Sequence, residues 1–208
     1  MTTKRVLGVA MAALMAASCA RSSDRADDLR VVPLSGDVHL LDGSDPIPIT
    51  EETSVDPGEV LGTGPGGRAV VEVGLAGRIE LGGQAQVVVD RTPEVVRGSV
   101  LASASPAGLA VRSGDAEVEA RGAVFRVDSG LSVIVAVYRG AVSVLGTGID
   151  ELPALRQAVV VAGGSAPRGA QPLEVDPDHR WDIRLLGAAI DLGLDLVRLE
   201  RGLGRALP

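Results

Sequence analysis

Between residues 31 and 161 the chain is a succession of short β-branched runs in which apolar and polar positions alternate. Ile79 and Leu81 alternate with Arg78 and Glu80, and Val118 is flanked by Glu117 and Glu119. A period of two puts one set of side chains in a core and the other in water, the signature of a half-buried strand. The same pattern predicts strands over 36–41, 68–73, 78–81, 84–89, 116–120, 124–127, 131–138 and 141–145. Gly98, Gly108, Gly114, Gly122, Gly130 and Gly140 fall between runs, as tight corners between short strands require. Such punctuation suits a sandwich, a barrel or a solenoid. Phe125, Tyr138 and Trp181 are the whole aromatic set, and a core of Val, Leu, Ile and Ala is too thin for a wide barrel. The expected fold class is therefore all-β, a β-solenoid or β-helix of short strands, with one C-terminal amphipathic α-helix.

That helix follows from a change of period near the end of the chain. Trp181, Leu185, Ala188, Leu192, Leu196 and Leu199 are spaced by three and four residues, which lines them along one helical face. Asp176 or Asp178 supplies a start signal and Gly202 a stop, giving a helix over 178–203 after a linker over 164–177. Gly187 and Gly193 each cost about 1 kcal/mol of helix propensity relative to alanine, so packing has to hold the helix. The stripe of Trp181, Leu185, Leu192, Leu196 and Leu199 is a candidate partner surface. It has three readings: it caps the domain's own core, docks a protein partner, or lies on a bilayer.

The first residues have a different task. Lys4 and Arg5 precede an uncharged run over 6–17, and Ala16, Ala17 and Ser18 lead into Cys19. A basic start, a short apolar run and small residues before a cleavage point make a signal peptide, and the run is too short for the roughly 20 apolar residues of a membrane helix. Cys19 is the sole cysteine, so no intramolecular disulfide is available. The segment resembles a bacterial lipobox, with Ala16 where leucine is usual, which implies lipid attachment at Cys19. The expected organisation is a lipoprotein signal peptide over 1–18, a polar tether over 19–29 and a β domain over 30–163.

Charge narrows the partners. The net charge of −7 becomes −9 once Lys4 and Arg5 are removed with the signal peptide, and Lys4 is the only lysine. An acidic chain argues against nucleic acid and against attraction to anionic lipid. Gly62, Gly64 and Gly67 match a dinucleotide-binding pattern in form, but a strand pattern follows where a helix would be needed, so the run reads as a turn. His39 and His179 are the only histidines, and neither has a cysteine or second histidine at ligand spacing. Alternation with Val38 and Leu40 sends His39 towards solvent. Asp42, Asp45, Asp176, Asp178 and Asp182 lack the spacing and closing glutamate of a calcium loop. No catalytic, cofactor-binding or metal-binding residue is expected.

Three segments together resemble the FecR domain family. They are Gly36-Asp37-Val38, the glycine-rich run at 58–73, and Arg121-Gly122-Ala123-Val124-Phe125-Arg126-Val127 followed by Val135-Ala136-Val137-Tyr138-Arg139-Gly140-Ala141-Val142-Ser143-Val144. The resemblance covers 31–162, and Ala123 stands where the family usually has threonine. It implies a β-helical domain outside the cytoplasm, known in that family for relaying signals from outer-membrane receptors to anti-sigma factors. The cytoplasmic anti-sigma segment and membrane helix that precede the domain in the classical arrangement have no counterpart here. The expectation is a non-enzymatic envelope lipoprotein, without cofactor, held on the periplasmic side of a diderm outer membrane through Cys19. It would act as a sensor or docking module for a protein or glycan. The alternative is an envelope scaffold that binds peptidoglycan or polysaccharide machinery without signalling.

Overall fold

A computed structural model describes residues 28–42, 45–161, 165–176, 179–182 and 184–185. The chain starts with β1 (Leu29–Ser35), β2 (Val38–Asp42), β3 (Asp45–Pro48), β4 (Thr53–Ser54) and β5 (Val60–Thr63). It continues through β6 (Arg68–Val73), β7 (Gly77–Leu81), β8 (Gln86–Val88), β9 (Glu94–Ala104), β10 (Leu109–Ser113) and β11 (Ala116–Ala120). The last strands are β12 (Val124–Ser129), β13 (Ser132–Arg139), β14 (Ala141–Leu145), β15 (Ile149–Pro153), β16 (Arg156–Val161) and β17 (Ser165–Pro172).

These strands pair into two layers. One runs β4, β1, β6, β7, β9, β12, β13, β16, β17. The other runs β3, β2, β5, β8, β9, β10, β11, β14, β15. Strand β9 serves both because Gly98 (φ +82°) bends it midway. A Cβ at Gly98 would lie 2.7 Å from the Ala85 Cα, so glycine is needed for close approach as well as for its backbone angle. Inward side chains of both layers meet in one aliphatic core, with Val31, Val71, Ile79, Leu81, Val87, Val111, Phe125, Val135 and Leu152 fully or almost fully buried.

The all-β expectation holds, and each strongly patterned segment lies in or overlaps a strand. The parallel coils of a β-helix are not what is seen. Among the described pairings only the short β9–β10 contact is parallel, and β10–β11, β12–β13 and β14–β15 fold back as antiparallel hairpins. Two- to four-residue glycine corners are the physical reason, because they reverse a chain but cannot carry it across to a parallel neighbour. The expected linker over 164–177 instead contains β17, which pairs with β16 through an interrupted register. Of the expected helix over 178–203, residues 180–182 and 184–185 are helical, and the remainder lies outside the described residues.

The glycine-rich run is a corner, with β5 before it and β6 after it. Gly64 N–H donates to Asp37 O at 2.9 Å and Gln84 N–H donates to Gly64 O at 3.1 Å, so three turns meet backbone to backbone. Thr63 locks the corner, its hydroxyl donating to Gly82 O at 2.6 Å and accepting from Ala85 N–H at 3.0 Å. His39 is half-buried over Gly62 rather than turned fully to solvent.

Candidate functional site: a strapped sheet face

Register places one row of outward side chains straight across the first layer. Glu80 on β7 faces Leu101 on β9, Leu101 faces Arg126 on β12, Arg126 faces Ala136 on β13, and Ala136 faces Gln157 on β16. Their strand neighbours Ile79, Val100, Phe125, Val135 and Ala158 point into the core. On a sheet with one wet face this row would be exposed. Instead Leu101, Arg126, Ala136 and Gln157 are all buried.

The cover comes from the same chain, residues 173–176, 179–182 and 184–185, which we call the strap. After β17 it turns back over the sheet. Leu173 N–H donates to Leu155 O at 3.0 Å, and Glu174 N–H donates to the Gln157 side-chain oxygen at 3.2 Å. Further along, Trp181 is 1% exposed and its ring lies beside Gly82.

Two charge clusters hold the strap. In the first, Asp182 is fully buried. Its Oδ1 accepts from Arg126 Nη1 at 2.7 Å and from the Tyr138 hydroxyl, and its Oδ2 accepts from Asp176 N–H at 2.9 Å. Arg126 also meets Asp128 at 2.9 Å through Nε. Burial acts to lower the Arg126 pKa, but Asp128, Tyr138 and Asp182 outweigh it and the guanidinium stays charged. Burial and the hydrogen bond to Asp182 push the Tyr138 phenol far up, so it is a donor and never a phenolate near neutrality. Burial, then the charge of Arg126, pushes His179 down. Its imidazole is therefore neutral at pH 7, and its 3.9 Å approach to Asp128 is not an ion pair there.

In the second cluster three arginines converge on Glu80. Arg68 of β6 reaches its Oε1 at 2.8 Å, Arg180 of the strap donates to the same oxygen, and Arg184 reaches Oε2 at 3.1 Å. Arg180 also lies over the Trp181 ring at 5.5 Å, a cation–π contact. Burial tends to raise the Glu80 pKa, but the Arg68 hydrogen bond and the charge of Arg184 contribute to a net shift below the ordinary value. These networks fix a chain segment in place. Asp182 accepts three hydrogen bonds, two at Oδ1 and one at Oδ2.

Of the expected partner stripe, Trp181 is buried against its own sheet and Leu185 is half-buried. Leu192, Leu196, Leu199 and Cys19 lie outside the described residues. Glu80, Arg126 and Tyr138 were not singled out as site residues by sequence reasoning, and Asp182 was weighed only as a calcium ligand. The available signals were a lone arginine amid the apolar run of β12 and the lone tryptophan beside Asp182.

A second feature lies on the outer face of the other layer. It is an open groove of about 540 Å³ with Ala110 and Ala120 in its lining, bordered by Arg121, Glu119, Ser143 and, on β15, Glu151. Among the described residues no three histidine, cysteine, aspartate or glutamate side chains come together at metal-binding distance.

No protein-family model matches the chain, and no curated protein is significantly similar to it. Two crystal structures of a candidate anti-sigma factor from Parabacteroides distasonis, at 1.65 and 2.50 Å resolution, show partial likeness. The first is 17% identical at a TM-score of 0.49 and the second 16% identical at 0.46. Each match covers 55% of this chain and 60% of the other. The chain is therefore similar, over about half its length and at low identity, to a candidate anti-sigma factor, and its own residues must carry any reading of function.

Proposed function

We propose that this protein is a non-enzymatic envelope lipoprotein whose FecR-like β domain is a sensor or docking module for a protein or glycan partner. The observation that carries the reading is where the family-like segments fall. Arg121-Gly122 forms a turn with Gly122 at φ +60°, β12 and β13 follow as a hairpin, and Gly140 (φ +77°) passes the chain directly into β14. The glycine-and-valine spacing thus coincides with a repeating step in which hairpins alternate between layers. In this reading that alternation is the solenoid's coil, and residues 178–203 complete the C-terminal helix.

Edge chemistry supports a docking role. The β3 edge carries Pro46 and Pro48, which block strand addition. The opposite edge of that layer, β15, keeps Ile149, Asp150, Glu151 and Leu152 before its terminal Pro153, and Glu151 borders the groove. An incoming strand would pair there and lay side chains into the groove. Lipid on Cys19 would hold the domain at the membrane.

The test uses the host organism with Asp150→Pro, which puts a proline inside the β15 edge, and with Cys19→Ser. Transcription under extracytoplasmic sigma factors and co-sedimentation with purified peptidoglycan are measured in both. Altered transcription in both variants, with protein levels kept, supports the sensor reading. Unchanged transcription with peptidoglycan binding lost in Asp150→Pro supports the scaffold alternative.

A further inference from the structure

We propose that Arg68, Arg180 and Arg184, gathered round Glu80, form a receptor for a tetrahedral oxyanion, a phosphate group either free or on a lipid headgroup. The proposal does not depend on the sensor reading. Three guanidinium groups contact one carboxylate at hydrogen-bond distance, so one negative charge faces three positive ones and two remain uncompensated. That excess is local, because the chain as a whole carries −7. Among the described residues no other carboxylate makes an ion pair with any of the three.

The donors are also only partly used. A guanidinium carries five N–H groups, and each of these arginines reaches Glu80 through Nη2 alone. The Nε of Arg68 is buried without a hydrogen-bond partner. The site is open to a ligand, with side-chain exposures of 33% for Arg68, 38% for Arg180 and 50% for Arg184 over a Glu80 that is 12% exposed. Mutual repulsion shows in Arg180, whose pKa is lowered by burial and then by Arg68 and Arg184. A second anion would relieve it.

Phosphate fits better than a carboxylate for two reasons. A dianion matches an excess of two charges. Its oxygens also point in several directions and can meet guanidinium forks supplied by a strand and by the strap, whereas a carboxylate is planar. Glu80 then acts as a template that preorganises the arginines and tempers affinity, which sets a clear expectation for its removal.

The test uses the full chain in non-ionic detergent at low ionic strength, titrated with sodium phosphate against matched sodium chloride. Trp181, the only tryptophan, reports binding through its stacked Arg180. Saturable binding is expected with a dissociation constant near the millimolar range. Arg184→Gln should weaken it about tenfold, and Glu80→Gln should strengthen it about tenfold while Trp181 stays shielded from acrylamide. Co-sedimentation with phosphatidic acid vesicles, against phosphatidylcholine vesicles, separates a headgroup ligand from free phosphate. No response to phosphate together with no preference for phosphatidic acid would overturn the proposal. So would binding that ignores Arg184→Gln, or binding lost in Glu80→Gln with Trp181 still shielded.

Discussion

Replacing Asp182 by alanine removes the acceptor at the centre of the strap's buried network. Three donors lose their partner at once: Arg126 Nη1 at 2.7 Å, the Tyr138 hydroxyl, and Asp176 N–H at 2.9 Å. Breaking a buried ion pair from one side costs about 3–5 kcal/mol. Arg126 keeps Asp128 at 2.9 Å, which argues for the lower end, about 3 kcal/mol. The Tyr138 and Asp176 bonds add about 1 kcal/mol each. The loss cannot exceed what docking of the strap contributes, because once the strap lifts, water reaches Arg126. The imidazole Nδ1 of His179 is buried without a hydrogen-bond partner, at a cost of about 1–3 kcal/mol, so that docking energy is not large. Amide exchange across the strap should therefore accelerate by about a hundredfold in Asp182→Ala, with protection in β6, β7 and β12 kept. Tyr138→Phe should accelerate it by about tenfold or less. Strap exchange unchanged in Asp182→Ala, or a collapse of protection throughout the sheet, would refute the reasoning.

Acid should release the strap in two stages. His179 has a folded pKa below its ordinary 6.5 and Glu80 one below its ordinary 4.5. In both cases the unfolded state binds protons more readily, so stability is complete above the ordinary value and is lost as pH falls through the folded one. Trp181 emission against pH should show both stages, and His179→Asn should remove the first. At the corner of three turns, Gly67→Ala would bring a Cβ to 2.3 Å from the Asp37 carbonyl oxygen and should cost about 3 kcal/mol in urea melts. Gly148→Ala has open space around a φ of +73° and should cost about 1 kcal/mol in the same melts. Phe125→Ala should destabilise the whole domain by about 3–5 kcal/mol, whereas Trp181→Ala should free the strap and leave the thermal transition of the sheet largely in place. If Cys19 carries the proposed lipid, the chain expressed in its host should take up labelled palmitate and Cys19→Ser should abolish that uptake.

The inward half of the sheet was legible in the sequence because alternation is a local property. Ile79 and Leu81, or Val118 between Glu117 and Glu119, announce a buried face without reference to anything distant. Strand β9 was harder, since Gly98 splits it and its halves serve different layers. Strand β17 was hidden by Pro167, Gly169 and Pro172, a linker-like composition that tolerates edge pairing because only β16 needs its backbone. Glu80 and Arg126 were invisible for a different reason. Alternation assigns them to water, and that is correct for the sheet alone. What buries them arrives about 100 and 56 residues later in the chain, and no local pattern encodes that contact. At Trp181 the stripe lies against the molecule's own sheet, which is the self-capping reading among its three.

The central claim is that the strap lies across the first layer, with Trp181 beside Gly82. Proton–proton Overhauser contacts in the labelled full chain test it directly. The account predicts cross-peaks between the Trp181 ring and the Gly82 α-protons, because the ring carbon Cη2 lies 3.5 Å from where a Gly82 Cβ would stand. Random-coil shifts for Trp181 and no contact with Gly82 would contradict it.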